Sequence, residues 1–124
     1  MFEKVLLVEN DPNVRDLITY ILEDEGMKVV QLTTPEDLDA VAQSAPDLAL
    51  VDEWTSGGPG HRLCLRIKQN PRMSHIPMII MSTALHIEEI AAHCRADAYI
   101  RKPFDLNELL EKVREKIRRL SSNR

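Results

Sequence analysis

Four polar clusters stand directly behind short apolar runs: Glu9-Asn10-Asp11, Asp52-Glu53-Trp54, Ser82-Thr83 and Lys102-Pro103. Brought to one place, they would assemble several carboxylates, a hydroxyl and one lysine. Carboxylates at close range repel one another, so such a site needs a cation, a proton or the lysine to balance it. Oxygen donors of this kind suit Mg²⁺, which keeps several waters and takes one or two protein carboxylates. A carboxylate nucleophile, a cation, a hydroxyl donor and a lysine are also the parts that receive a phosphoryl group. Taken alone, each residue has a plainer reading. An aspartate after a strand is more often a cap than a nucleophile, and a single lysine is usually solvated.

The pattern between the clusters says how they would be positioned. Val5-Leu-Leu-Val8, Met27-Lys-Val-Val-Gln-Leu32, Leu48-Ala-Leu-Val51, Met78-Ile-Ile-Met81 and Ala98-Tyr-Ile100 are short and mostly lack polar alternation. That is the signature of parallel strands covered on both faces. Helical spacing fills the gaps. Asp11 caps a first helix, Pro12 suits its first turn and Gly26 ends it. Thr34-Pro35-Glu36-Asp37 opens a second, Gly60 to Asn70 forms a third stopped by Pro71, and Ile87 to Cys94 is a short fourth. Asp105 starts a fifth, with Glu108 three residues on as in a capping box. Five strands alternating with five helices predict an open α/β sheet with helices on both faces. Ligand chemistry in such folds gathers beyond the carboxyl ends of the strands, where the four polar clusters stand.

Composition narrows the function further. The 124 residues favour one domain, residues 1–120, followed by a polar tail at 121–124. A formal charge of −4 opposes direct nucleic-acid binding. No apolar run spans a membrane, and the amino terminus is not patterned as a signal peptide. Two cysteines make no disulfide framework, so a reduced cytoplasmic setting is expected. Gly57-Gly58-Pro59-Gly60 lacks the Gly-Lys-Ser/Thr of a phosphate-binding loop. His61, Cys64, His93 and Cys94 invite a zinc reading, but adjacent His93 and Cys94 diverge on a helix, and buried cysteines with surface histidines are expected. The alternating charges of the last helix, with Glu108–Lys112 and Glu115–Arg119 at helical spacing, read as a solvated face.

Four segments in order carry a family resemblance: Leu7-Val-Glu-Asn-Asp-Pro-Asn-Val-Arg15, Pro46-Asp-Leu-Ala-Leu-Val-Asp52, Ile76-Pro-Met-Ile-Ile-Met-Ser-Thr83 and Ala96-Asp-Ala-Tyr-Ile-Arg-Lys-Pro-Phe104. Together they resemble the receiver domain of two-component response regulators from about Lys4 to Leu120. The resemblance implies a flavodoxin-like doubly wound sheet of strand order 2-1-3-4-5, here as a single-domain protein without an output domain. It implies Asp52 as phosphoacceptor, Lys102 as partner of the phosphoryl group, and Ser82 and Tyr99 as the switch pair. It places Glu9, Asn10, Asp52 and the backbone carbonyl of Trp54 around Mg²⁺, and it makes the Lys102–Pro103 peptide cis. The implied partners are a histidine kinase or phosphotransfer protein and a downstream protein on the face of the fourth helix, last strand and fifth helix. A homodimer is compatible with it.

The chain departs from that pattern in places. Asn10 stands where a second acid is usual, which removes a unit charge and weakens Mg²⁺ binding. The loop after Asp52 lacks the usual Met-Pro step, and Thr83 replaces a small residue. These departures leave open an alternative: a pseudo-receiver that binds proteins without phosphorylation. A phosphohydrolase of the haloacid-dehalogenase kind would need an aspartate two residues after the nucleophile, and Trp54 stands there.

Overall fold

Leu48, Ala49, Leu50 and Val51 have no solvent exposure at all, because the strand they form has a neighbour on each edge and helices on each face. A strand so enclosed must be apolar throughout. The computed structural model describes residues 3–32, 38–55 and 58–122. Five parallel strands, β1 (Lys4–Val8), β2 (Lys28–Gln31), β3 (Leu48–Asp52), β4 (Met78–Ser82) and β5 (Ala98–Arg101), form one sheet in the order β2-β1-β3-β4-β5. This is the expected flavodoxin-like order. β2 is an edge strand, and its outer residues Lys28 and Gln31 are exposed.

Helices α1 (Pro12–Asp24), α2 (Leu38–Ser44), α3 (Gly60–Gln69), α4 (Ile87–His93) and α5 (Leu106–Ser122) cover the sheet. Period-two alternation divides the apolar residues between two cores. Val5, Leu7, Leu48, Leu50, Ile79 and Ile100 pack against α1 and α5 through Ile18, Leu22, Leu109 and Val113. Leu6, Val8, Ala49, Val51, Met78 and Ile80 pack against α2, α3 and α4 through Val41, Leu63, Ile67, Ile87 and Ala91. Burying side chains of this size contributes about 1.5–3 kcal/mol each.

The helix ends follow local chemistry. Asp11 Oδ1 accepts from the amides of Asn13 at 2.8 Å and Val14 at 3.4 Å, and Gly26 ends that turn with φ +86°. Asp105 Oδ1 accepts from the Asn107 amide at 2.7 Å and starts α5. The expected opening of α2 at Thr34–Asp37 lies outside the described residues. α5 runs on to Ser122. The short fourth helix is borne out, and Cys94 caps it.

A detail the sequence did not reveal lies after β3. Trp54–Thr55 pairs antiparallel with Gly58–Pro59, which turns the chain back so that the Gly60 amide donates to the Glu53 carbonyl. A Cβ on Gly60 would overlap the carbonyl of Asp52 and crowd Glu53 Cα, backbone atoms that cannot swing aside. Gly60→Ala is therefore expected to destabilise the protein, outweighing the roughly 1 kcal/mol that alanine gains over glycine in a helix. A urea unfolding midpoint below that of the wild type is the expected result.

Candidate functional site

The alternation that sorts the core also sorts the polar residues at the carboxyl edge. Asp52 continues the register of Leu48 and Leu50, as Glu9 continues Val5 and Leu7, so both belong to the α1–α5 side. Glu53 and Ser82 continue Ala49–Val51 and Met78–Ile80, on the side of α3 and α4. Tyr99 packs against that second core too. The site therefore has two halves, joined through the covalent neighbours Asp52 and Glu53.

In the first half Lys102 reaches across from beyond β5. Its ammonium lies 2.6 Å from Glu9 Oε1 and 3.5 Å from Asp52 Oδ1. The first contact is a charge-assisted hydrogen bond; the second is looser and chiefly electrostatic. The Lys102 amide donates to the Ser82 carbonyl at 2.8 Å, so strand pairing continues just far enough to deliver the side chain. The Lys102–Pro103 peptide is cis, as the resemblance implies.

Glu9 is 4% exposed and Asp52 6%. Burial alone would raise the Glu9 pKa. The hydrogen bond from Lys102, the Asp11 amide at 3.2 Å and the Lys102 charge outweigh it and hold the Glu9 carboxyl below its ordinary range.

The second half contains a residue that sequence reasoning passed over as part of an unusual loop. Glu53 is 9% exposed, and its Oε1 accepts the Ser82 hydroxyl at 2.8 Å. Ser82 Oγ in turn accepts from the Ala84 amide at 2.9 Å. The available signal was an acid following immediately on a wholly buried strand, where a charge needs a partner. Gly60, packed against the Asp52 carbonyl, carries in its sequence only the signal of a helix start.

The other expected residues fall into place unevenly. Asn10 is exposed in the bend between β1 and α1. Trp54 follows the acceptor turn in the short antiparallel pair. Tyr99 stands apart from Asp52: its hydroxyl donates to Glu88 of α4 at 3.0 Å, and Lys112 of α5 lies 5.4 Å from its ring centre. Cys64 and Cys94 are both fully buried and unbridged. Among the described residues no helix is long and apolar enough to cross a membrane. A cavity of about 270 Å³ lined by Pro46, Asp47, Met73 and His75 sits at the opposite, amino-terminal end of β3, away from the chemistry.

The two buried carboxylates, Glu9 and Asp52, are oxygen donors of the kind a hard cation takes. Among the described residues no three His, Cys, Asp or Glu side chains are grouped to hold a metal. Glu9 and Asp52 are a pair, and two carboxylates are within the number that Mg²⁺ takes from a protein, so the residues fit it.

Residues 5–114 match the family described as response regulator receiver domain. The chain is 31% identical over 119 residues to the DNA-binding dual master transcriptional regulator RpaA of Synechocystis, covering 94% of this chain and 49% of that protein. It is 31% identical over 128 residues to the phosphate regulon transcriptional regulatory protein PhoB of Escherichia coli, covering 98% and 54%. The chain thus spans about half the length of the curated relatives it matches. Among solved structures, a CheY-like response regulator receiver domain protein from Methanospirillum hungatei superposes with a TM-score of 0.87 at 26% identity, covering all of both chains. The receiver domain of sensor histidine kinase PA1611 from Pseudomonas aeruginosa, described with magnesium in its active-site cleft, shares the fold with a TM-score of 0.83 at 21% identity, covering 94% and 98%.

The lowered Glu9 pKa links the site to stability. A carboxyl whose folded pKa lies below its unfolded value contributes stability above the unfolded value, near 4.5 here, and loses it as pH falls through the folded value. In urea unfolding from pH 7 down to pH 3, Glu9→Gln should show a shallower loss of stability below about pH 4.5 than the wild type.

Proposed function

The chain belongs to the response regulator receiver domain family of two-component signal transduction, and we propose that it accepts a phosphoryl group on Asp52. The observation that carries this reading is the Lys102 ammonium set between the buried carboxylates of Glu9 and Asp52. In the proposed step an Asp52 carboxylate oxygen attacks the phosphorus of a phosphohistidine on a histidine kinase or phosphotransfer protein. The phosphorus–nitrogen bond breaks, the imidazole leaves with its electron pair and takes a proton, and an acyl phosphate remains on Asp52. Lys102 turns from Glu9 toward a phosphoryl oxygen, because the new charge is nearer and larger. Ser82 supplies a hydrogen bond to another. Glu9, Asn10, Asp52 and the Trp54 carbonyl would hold Mg²⁺, which when bound neutralises charge on the transferring oxygens.

Movement of Ser82 changes the packing beside Tyr99, on the same side of the sheet. Tyr99 then exchanges its bond to Glu88 for a new position, which reshapes the surface of α4, β5 and α5. A downstream protein, or a second copy of the chain, would read that surface. On this reading residues 1–120 form one receiver unit, cytoplasmic in keeping with its two unbridged cysteines, and the only reaction it catalyses is its own phosphorylation and dephosphorylation. Retention of the acceptor, the lysine and the hydroxyl together supports phosphorylation-dependent signalling over a binding module that works without it.

Acetyl phosphate with millimolar Mg²⁺ should add one phosphoryl group to the wild type and none to Asp52→Asn, read by intact mass. Addition at another residue would overturn the acceptor assignment.

Asn10→Asp should tighten Mg²⁺ binding. One more charge near 4 Å at an effective dielectric of about 20 has a Coulomb energy of roughly 4 kcal/mol. Desolvation and repulsion among the acids should leave about 1–2 kcal/mol, on the order of tenfold in affinity. Trp54, the only tryptophan, reports the titration by fluorescence. Equal affinity in the two proteins would remove position 10 from the metal site.

A further inference from the structure

Ser82 and Glu53 are already bound to each other where the switch requires Ser82 to be free. We propose that Glu53 is a positioning residue that latches the Ser82 hydroxyl in the unphosphorylated state and so sets the threshold for switching. This rests on Asp52 being the acceptor, and it adds a regulatory element to that site.

The argument is one of donor supply. A serine hydroxyl has a single proton to donate and two lone pairs to accept with. In this structure the proton goes to Glu53 Oε1 at 2.8 Å, and a lone pair takes the Ala84 amide at 2.9 Å. An anionic phosphoryl group on Asp52 can use only a donor. Ser82 must therefore leave Glu53 before it can serve the phosphoryl group. The competing acceptor is an ionisable carboxylate, and hydrogen bonds to charged acceptors are stronger than those to neutral ones.

The cost falls on Glu53 as well. Glu53 is 9% exposed, beyond the end of a strand with no exposed side chain, so losing Ser82 strips a donor from a buried acid. The Glu53 amide remains fixed to the Met81 carbonyl at 2.9 Å, and its carbonyl accepts from Gly60, so the backbone cannot follow Ser82. The release must come from side-chain movement. Glu53 also places a negative charge beside the incoming phosphoryl group, which opposes binding through charge alone. The two effects act in the same direction and must be separated by experiment.

The probe is beryllofluoride with Mg²⁺, a non-covalent mimic of the phosphoryl group, titrated by calorimetry into the full chain. Glu53→Met keeps the volume and removes both acceptor and charge; it should bind the probe about tenfold tighter than the wild type. Glu53→Gln keeps an acceptor oxygen and loses the charge; it should fall between the two, and it serves if the methionine variant folds poorly. In a Ser82→Ala background, where there is no hydroxyl to latch, Glu53→Met should keep only the gain due to charge and tighten binding by clearly less than it does beside Ser82, the outcome expected when part of the coupling runs through the deleted partner. Equal tightening in both backgrounds would overturn the latch and leave Glu53 acting by charge; so would unchanged affinity in Glu53→Met. Asp52→Asn in the same titration keeps the two readings apart. Its loss of binding upholds the acceptor whatever Glu53 does, and retained binding removes the acceptor and the latch together.

Discussion

Lys102 holds two buried carboxylates at once, 2.6 Å from Glu9 and 3.5 Å from Asp52, and the geometry of the carboxyl edge is organised around that ammonium. Taking an acid out of water costs several kcal/mol, and two adjacent acids add repulsion to that cost. Without the lysine, one of the pair would have to take up a proton or turn outward, and either would spoil a nucleophilic carboxylate. The lysine can serve because β5 pairs with β4 in a register that ends at Ser82 and Arg101, which places the next residue over the site. The same ammonium is held less closely by Asp52 than by Glu9.

The two faces of the sheet divide the polar residues of the carboxyl edge. Asp52 lies on the side of α1 and α5, while Glu53, Ser82 and Tyr99 lie on the side of α3 and α4. The connection needs no long pathway, since residues 52 and 53 are joined by one peptide. Beneath them the sheet is apolar and closely packed, so the strands form a stiff floor and the movable parts are the side chains above it. Tyr99 is tied to Glu88 and sits beside Lys112, one residue from each helix that flanks β5. Its position is therefore set by the elements whose surface it would change.

Asn10 and Glu53 shift charge within the site in a consistent way. The first leaves an amide at the exposed rim; the second puts an acid in the buried half, against the Ser82 hydroxyl. Gly60 shows a different constraint: the loop after β3 returns so closely over Asp52 that no side chain fits between them. Asp52 is thus framed by backbone on one side and by paired charges on the other.

Much of this was legible in the sequence, and for a local reason. Strand and helix periods, the Asp11 and Asp105 caps, and Gly26 are written within a few residues of the structure they specify. So the five strands, the five helices and the gathering of Glu9, Asp52, Ser82 and Lys102 at one edge followed from pattern. What the sequence could not decide was which charge meets which. Lys102 binds Glu9 more closely than Asp52 across 93 positions, and Ser82 gives its proton to Glu53 across 29. These pairings depend on strand register and on loop length after β3, and both are settled only when separate elements pack. Alternation along one strand gives each side chain a face; the tertiary structure alone gives it a partner, because an ion pair or hydrogen bond is fixed by distances between atoms far apart in the chain.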